Sequence, residues 1–279
     1  MERAPLLIVD GDNLAHRAYH STPKTVKGAD GRPINAIVGF FGMLANLWAA
    51  ERPRAVFVAW DTLSVPTYRH ELWPAYQSGR EFDDAILDQL EVLPGLCEAA
   101  GCGVGKAAGY EADDLMAAAV QAELADGGSC LLFTSDKDSY QLVSDDVTVL
   151  TPRRGVSEMD RIGPAGVVER LGVLPEQVPD FKALAGDSSD RIPGASGIGP
   201  KKAAALLLQY GDLEGVLDGV KRPGEAEQLR QFREIVLMRP DVEVTLPAVA
   251  PDWSRLAPRL RELGADRIAT RLEELVATS

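Results

Sequence analysis

Residues 5–10 read Pro5-Leu6-Leu7-Ile8-Val9-Asp10, a short apolar run that closes on a carboxylate. A run of this length, without polar alternation, predicts a strand buried on both faces. The same design recurs twice. Residues 55–61 (AVFVAWD) end on Asp61, and the run CLLFT at 130–134 leads into Ser135, Asp136, Lys137 and Asp138. Several such runs predict parallel strands that carry acidic groups to one edge of a sheet. In open α/β folds that carboxyl-end edge is where ligands sit.

Two further acidic groups follow the same logic. GYEADD contains Glu111, Asp113 and Asp114, and GDSSD contains Asp187 and Asp190. Any one of these residues alone reads better as a helix cap or a turn residue. Nine carboxylates brought to one edge do not, because they would repel one another unless divalent cations held them. Two ions roughly 4 Å apart can activate a water and stabilise the leaving oxygen of a phosphodiester displacement. The spacing of Asp136 and Asp138 puts both on one face if strand geometry continues. Adjacent Asp113 and Asp114 cannot point the same way on a helix, whereas Glu111 and Asp114 share a face. The acidic set therefore predicts a metal-dependent enzyme acting on phosphates.

The surrounding sequence alternates strands and helices. Residues 34–50 and 84–99 read as helices, 101–109 as a short glycine-interrupted strand, 111–124 as a helix, and 130–135 and 147–151 as strands. This βαβ order predicts a doubly wound, mainly parallel sheet. After Asp10 the chain reads as a turn and a polar, basic stretch, with Gly28, Gly31 and Pro33 marking a loop. Beyond about residue 160 the pattern becomes helical with short loops, ending in an amphipathic helix near 264–277. We therefore expect an α/β domain over 1–165 and an all-α domain over 166–279.

Composition narrows the class. The 279 residues carry 46% hydrophobic and 25% charged residues, as globular proteins do. Cys97, Cys102 and Cys130 lack the spacing of a zinc site and read as small buried thiols. There is no signal-peptide pattern and no apolar run of about twenty residues. A soluble, cytoplasmic protein without membrane contact is expected. The net charge of −13 opposes a nucleic-acid partner at first sight, but setting aside the nine clustered carboxylates leaves −4.

A second chemical motif is IPGASGIGPKKAAALLLQYG at 192–211. Gly197 and Gly199 allow close backbone approach at a helix start, and Lys201 and Lys202 add positive charge. Such a helix–hairpin–helix suits sequence-independent phosphate binding. A plain glycine turn between packed helices reads about equally well from these residues alone.

The segments VDGDNLAHRAYH, FVAWDTLSVPTYRHELWPAYQSGR, GYEADDLMA, TSDKDSYQL and GDSSDRIPGASGIGPKKA, in this order, resemble the bacterial 5′ nuclease family. That family comprises the 5′-3′ exonuclease domain of DNA polymerase I and related flap endonucleases, and this chain resembles a stand-alone member. The resemblance implies a PIN-like α/β core, a helical arch near 62–95, and a C-terminal helix–three-turn–helix domain. It also implies a metal-dependent enzyme that cuts DNA at 5′ flaps, nicks and 5′ ends in replication and repair. Asp10, Asp61, Glu111, Asp113, Asp114, Asp136, Asp138, Asp187 and Asp190 carry over as ligands of two or more Mg²⁺ or Mn²⁺ ions. Asp113, Asp136 and Asp138 form the expected centre, and Asp138, Asp187 and Asp190 hold a second ion. A potassium ion at the hairpin is a further implication, and a monomer is expected.

Two positions depart from the family pattern. Gln77 stands where a lysine commonly follows the arch tyrosine, leaving Arg80, Arg69 or Arg17 to meet the scissile phosphate. Arg191 stands where asparagine is usual, and either contacts DNA or pairs with a neighbouring aspartate. Tyr76 either stacks on a base or packs within the arch. The DNA-binding set is thus Arg17, Arg69, Tyr76, Gln77, Arg80, Arg191, Gly197, Gly199, Lys201 and Lys202. The rival readings are a PIN-like ribonuclease, opposed by the long arch and the hairpin, and a non-catalytic junction binder, suggested by Gln77.

Overall fold

In a computed structural model the described residues are 3–63, 65–78, 83–154, 158–221 and 224–277. Six strands form one sheet: β1 (Leu6–Asp10), β2 (Ala55–Ala59), β3 (Gly103–Gly105), β4 (Cys130–Phe133), β5 (Val147–Arg154) and β6 (Glu158–Ile162). Their order is β3-β2-β1-β4-β5-β6, parallel throughout except for the antiparallel β6. The chain winds outward in one direction from β1 and in the other from β4. The crevice beyond the carboxyl ends of β1 and β4 is thus the topological switch point.

All five residues of β1 are buried, but they serve two different cores. Leu6 and Ile8 join one face with Phe57 and Leu132. Leu7 and Val9 join the other with Val56, Val58 and Phe133. This is the period-2 alternation of a strand covered on both sides. The first face is covered by α5 (Ala112–Ala125) and, further along, by α6 (Pro164–Leu171), α7 (Val178–Ala185), α8 (Pro200–Tyr210), α9 (Leu213–Val220) and α10 (Ala226–Val236). The second face is covered by α1 (Gly11–Ser21), α2 (Asn35–Glu51), α4 (Asp84–Ala99), α11 (Trp253–Glu262) and α12 (Asp266–Ala277).

Three features differ from the sequence expectation. The polar stretch after Asp10 is a helix, α1, because Asp10 caps it by accepting from Asn13 N–H at 3.0 Å. Leu14, Ala15, Ala18 and Tyr19 give it a buried stripe. Gly11 is required at its start, since a Cβ there would lie 2.7 Å from the Ala59 carbonyl and 2.6 Å from the Trp60 ring. The arch expected near 62–95 is also cut short. Residues from Asp84 onward belong to α4, whose Ile86, Leu90 and Leu93 are core, and only α3 (Tyr68–Leu72) is helical among the described residues between β2 and α4. Finally α11 and α12, grouped in the sequence reading with the helical region, pack on α2 and α4 instead. The described residues contain no helix long and apolar enough to cross a membrane.

Arg191 adopts φ 56°, a left-handed conformation that asparagine tolerates and arginine does not favour. Its carbonyl accepts the Trp73 indole N–H at 3.2 Å, and the residue is exposed. We expect Arg191→Asn to stabilise the protein by up to about 1 kcal/mol, measured by urea unfolding, because the left-handed penalty is relieved.

Candidate metal centre

An open cleft of about 670 Å³ lies at the switch point. Asp10, Asp61, Glu111, Asp113 and Asp136 line it, as do Asp12, Asn13, His16, Arg17 and His20 from α1. The acidic groups reach it from three strand ends and two helix starts. Asp10 closes β1, Asp61 follows β2, Asp136 follows β4, and Asp12 and Asp113 sit in the first turns of α1 and α5.

Hydrogen bonds hold these carboxylates in place. Thr134 Oγ1 donates to Asp10 Oδ2 at 2.9 Å and accepts from Asp136 N–H at 3.0 Å, joining the ends of β1 and β4. Asp136 Oδ1 then accepts Asp138 N–H at 2.9 Å. Asp61 Oδ1 caps α5 by accepting Ala112 N–H at 2.7 Å, while Asp61 N–H donates to Asp12 Oδ2 at 2.8 Å. Glu111 accepts from Thr67 Oγ1 at 3.1 Å and from the Tyr76 hydroxyl at 3.0 Å.

These partners do not neutralise the charge. Burial pushes Asp10 up to about 7, with Asp61 and Asp136 adding to the effect. Burial likewise raises Glu111 to about 7, and Asp113 well above the usual carboxylate range, with Asp136 and Asp10 contributing. Asp12 rises for the same reasons, burial and then Asp61. Oxygen donors crowded around a cleft that disfavours their own ionisation match the requirements of a hard divalent cation.

The sign of the pH dependence follows. A carboxyl whose folded pKa lies above its ordinary value of 3.8 binds more protons folded than unfolded between the two values. Its favourable contribution is complete below 3.8 and disappears as pH rises through about 7. Ion-free protein is therefore expected to lose several degrees of melting temperature between pH 5 and pH 8, and a divalent ion to restore most of that loss at pH 8. A flat melting profile in chelator would contradict this.

A second group lies outside the cleft. Ligand oxygens of Asp138, Asp187 and Asp190 all fall within 4.8 Å of one another. Asp138 opens a 3-10 turn at Asp138–Leu142 that α7 packs against, and Asp187 and Asp190 follow α7. Glu111, Tyr76, Gln77 and Asp190 connect the two groups, since the Gln77 amide donates to the Tyr76 hydroxyl at 2.8 Å and to Asp190 Oδ1 at 3.3 Å. Asp138 therefore belongs with the second trio and is not among the residues lining the cleft with Asp113 and Asp136.

Three expected roles change. Asp114 leaves the ligand set: it is 0% exposed, and Arg69 meets both its oxygens at 2.6 and 2.8 Å. It also accepts from the Tyr68 hydroxyl, Glu111 N–H and Arg239 N–H. Arg69 in turn leaves the DNA-binding set, being 2% exposed and bonded through Nε to the Ile235 carbonyl at 2.8 Å. Tyr76 is buried beneath Glu111, so it packs and does not present a ring for base stacking. Gln77 lines the cleft, as does Arg17, which donates to Ser135 Oγ at 3.2 Å. Arg80 lies outside the described residues. Gly197 is left-handed at φ 68°, Gly199 caps α8, and Lys201 and Lys202 are exposed in its first turn. Cys97, Cys102 and Cys130 are buried free thiols.

The sequence reading missed Asp12, Asn13, His16, His20, Thr134 and Lys182. For the α1 residues the available signal was the capping Asp10 followed by the Leu14, Ala15, Ala18 and Tyr19 stripe, which leaves 13, 16, 17 and 20 on another face.

A doubly wound sheet with an acidic cleft at its switch point, followed by a helical region with a lysine-bearing hairpin, sets the class of the fold. Residues 5–172 match the N-terminal resolvase-like domain of the 5′-3′ exonucleases and residues 173–250 match their C-terminal SAM-fold domain, so the chain belongs to the 5′-3′ exonuclease family. Among curated relatives, DNA polymerase I of Mycobacterium bovis is 40% identical over 265 residues, covering 91% of this chain and 29% of that protein. DNA polymerase I of Deinococcus radiodurans is 37% identical over 243 residues, covering 85% and 25%. The chain thus spans under a third of the length of these relatives. A bacteriophage T5 flap endonuclease, solved with DNA and metal ions, superposes with TM-score 0.70 at 21% identity over 97% of this chain and 98% of that one. Flap endonuclease-1 from Methanococcus jannaschii gives TM-score 0.61 at 16% identity over 98% and 92%. These two share the fold from end to end.

Proposed function

We propose that this chain is a structure-specific 5′ nuclease that hydrolyses DNA phosphodiesters at 5′ flaps, nicks and duplex 5′ ends, in replication and repair. The observation that carries the reading is the convergence of Asp10, Asp61, Asp113 and Asp136 on one cleft, with burial raising Asp10 and Asp113 far above ordinary carboxylates. Magnesium or manganese would supply Lewis-acid activation of water and neutralisation of the phosphate, held by these four with Glu111 beside them. The Asp138, Asp187 and Asp190 trio would hold a further ion.

The chain's own residues have separable tasks in this reading. Thr134 keeps Asp10 and Asp136 in register across the switch point. Arg17, at the cleft wall, faces a phosphate oxygen of the strand being cut. The α8 N-terminus with Lys201 and Lys202 holds duplex phosphates and reads shape over base sequence. A potassium ion at the Gly197 hairpin belongs to the same reading, as do a monomeric state and a cytoplasmic location.

The test compares a 5′-flapped duplex, single-stranded DNA and single-stranded RNA, each with Mg²⁺, Mn²⁺ or chelator. Cleavage near the flap junction that requires a divalent ion is expected, leaving a 5′-phosphate on the product. Preferential cleavage of the RNA would support a ribonuclease instead. Tight flap binding without cleavage in manganese would make the chain a junction binder. Lys201→Ala with Lys202→Ala is expected to raise KM several-fold, with kcat little changed and a shallower salt dependence.

A further inference from the structure

The two carboxylate groups differ in one respect that bears on how they take ions. In the cleft, the bonded partners described above for Asp10, Asp61 and Asp136 are backbone N–H groups and a threonine hydroxyl. The trio instead has a cation of its own. Lys182, on α7 and only 9% exposed, places Nζ 2.6 Å from Asp187 Oδ2 and in ion-pair contact with Asp138 Oδ1. Two further oxygens are also engaged. Asp187 Oδ1 accepts Ser189 N–H at 2.8 Å together with the Ser189 hydroxyl, and Asp190 Oδ1 accepts the Gln77 amide.

An ion needs carboxylate oxygens at about 2.0–2.6 Å, and near-octahedral magnesium is strict about their directions. It cannot take the oxygens of Asp138 and Asp187 that face Lys182 Nζ without moving the ammonium aside.

We propose that Lys182 is a tethered competitor of the divalent ion at the Asp138–Asp187–Asp190 trio, so that the cleft fills first and the trio fills only as the lysine side chain leaves it. This rests on the reading of the trio as an ion site. The lysine lowers the trio's ion affinity because the ion must displace a bonded ammonium and restore its solvation. It also holds Asp138 and Asp187 together when no ion is bound. Filling the trio requires a side-chain movement on α7, the helix whose C-terminal end runs into the 186–199 loop leading to the DNA-binding hairpin.

The test is Mn²⁺ binding to the full chain without DNA, by calorimetry and by electron paramagnetic resonance of free Mn²⁺. Wild type is expected to show a tight phase and a phase at least about tenfold weaker, the weaker one being the trio. Lys182→Gln is expected to tighten the weak phase at least about tenfold, Lys182→Arg to leave it weak, and Lys182→Gln with Asp190→Asn to lose the gain. If Lys182→Gln changes nothing while Asp190→Asn alone weakens binding, the trio holds an ion and the competition is overturned. If neither substitution alters binding, the trio takes no ion, and the competition falls with that reading. A gain that survives Asp190→Asn arises elsewhere and also overturns the proposal. A measurement that needs no variant to fold is the ε-methylene resonance of Lys182 in ¹³C-lysine-labelled wild type during Mg²⁺ titration. It is expected to move with the weaker phase, and a resonance that stays still through that phase would overturn the competition.

Discussion

Asp113→Asn is expected to slow cleavage of a 5′-flapped duplex by at least about 10³-fold, the effect of losing several kcal/mol of charge stabilisation in the transition state. The same substitution should raise the melting temperature of the ion-free protein. Both effects have one cause. Asp113 is pressed by burial, by Asp136 and by Asp10, so its charge is tolerable only when an ion shares it. Asparagine matches its volume and removes that charge. Activity and ion-free stability should therefore move in opposite directions, whereas a structural aspartate would lose both together. Steady-state cleavage and melting in chelator distinguish the cases. Wild-type cleavage by the variant would remove Asp113 from the centre.

Arg69→Met should destabilise the fold by about 3–5 kcal/mol, because it strands a buried carboxylate. Asp114 is fully buried and Arg69 is the charged donor to both of its oxygens, while the Ile235 carbonyl loses the Arg69 Nε–H donor. The pair joins three parts of the chain: α3, the start of α5, and the end of α10. Replacing both partners, as Arg69→Met with Asp114→Leu, should recover much of the loss, since an apolar pair carries no desolvation penalty. Urea unfolding of the two single variants and the double variant measures the coupling. Near-neutral single variants would show that the contact is not holding α3 and α10 on α5. Ion binding should change little in any of them, which separates Asp114 from the neighbouring Asp113.

Adjacent residues with opposite roles show where sequence reading runs out. Asp113 and Asp114 are indistinguishable as letters, and helix geometry says only that they point in different directions. Which direction meets the cleft depends on how α5 is rotated against the sheet. Asp61 Oδ1 capping Ala112 N–H and the packing of Leu115 and Met116 decide that rotation. Arg69 was equally opaque, because an arginine amid aromatics reads as a ligand-facing group until its partner on a distant helix is known. Helix α1 was overlooked for a different reason. Two of the four side chains in its apolar stripe are alanines, which give a weak periodic signal, and the polar, basic residues between them mask the helical period.

The apolar runs closing on Asp10, Asp61 and Asp136 were enough to predict β1, β2 and β4, their parallel direction and the edge where the acids gather. Strand burial on both faces and the period of two act over five or six residues, so a linear reading captures them. The order of motifs was likewise sufficient to place the chain in its family. Tertiary structure alone took Asp114 out of the acidic set into a structural ion pair and left Asp138 off the cleft that Asp113 and Asp136 line. It alone placed Lys182 among the trio and α11 and α12 on the far face of the sheet. Those outcomes depend on side chains far apart in the chain competing for the same few ångströms of buried space, and no local pattern records which of them wins.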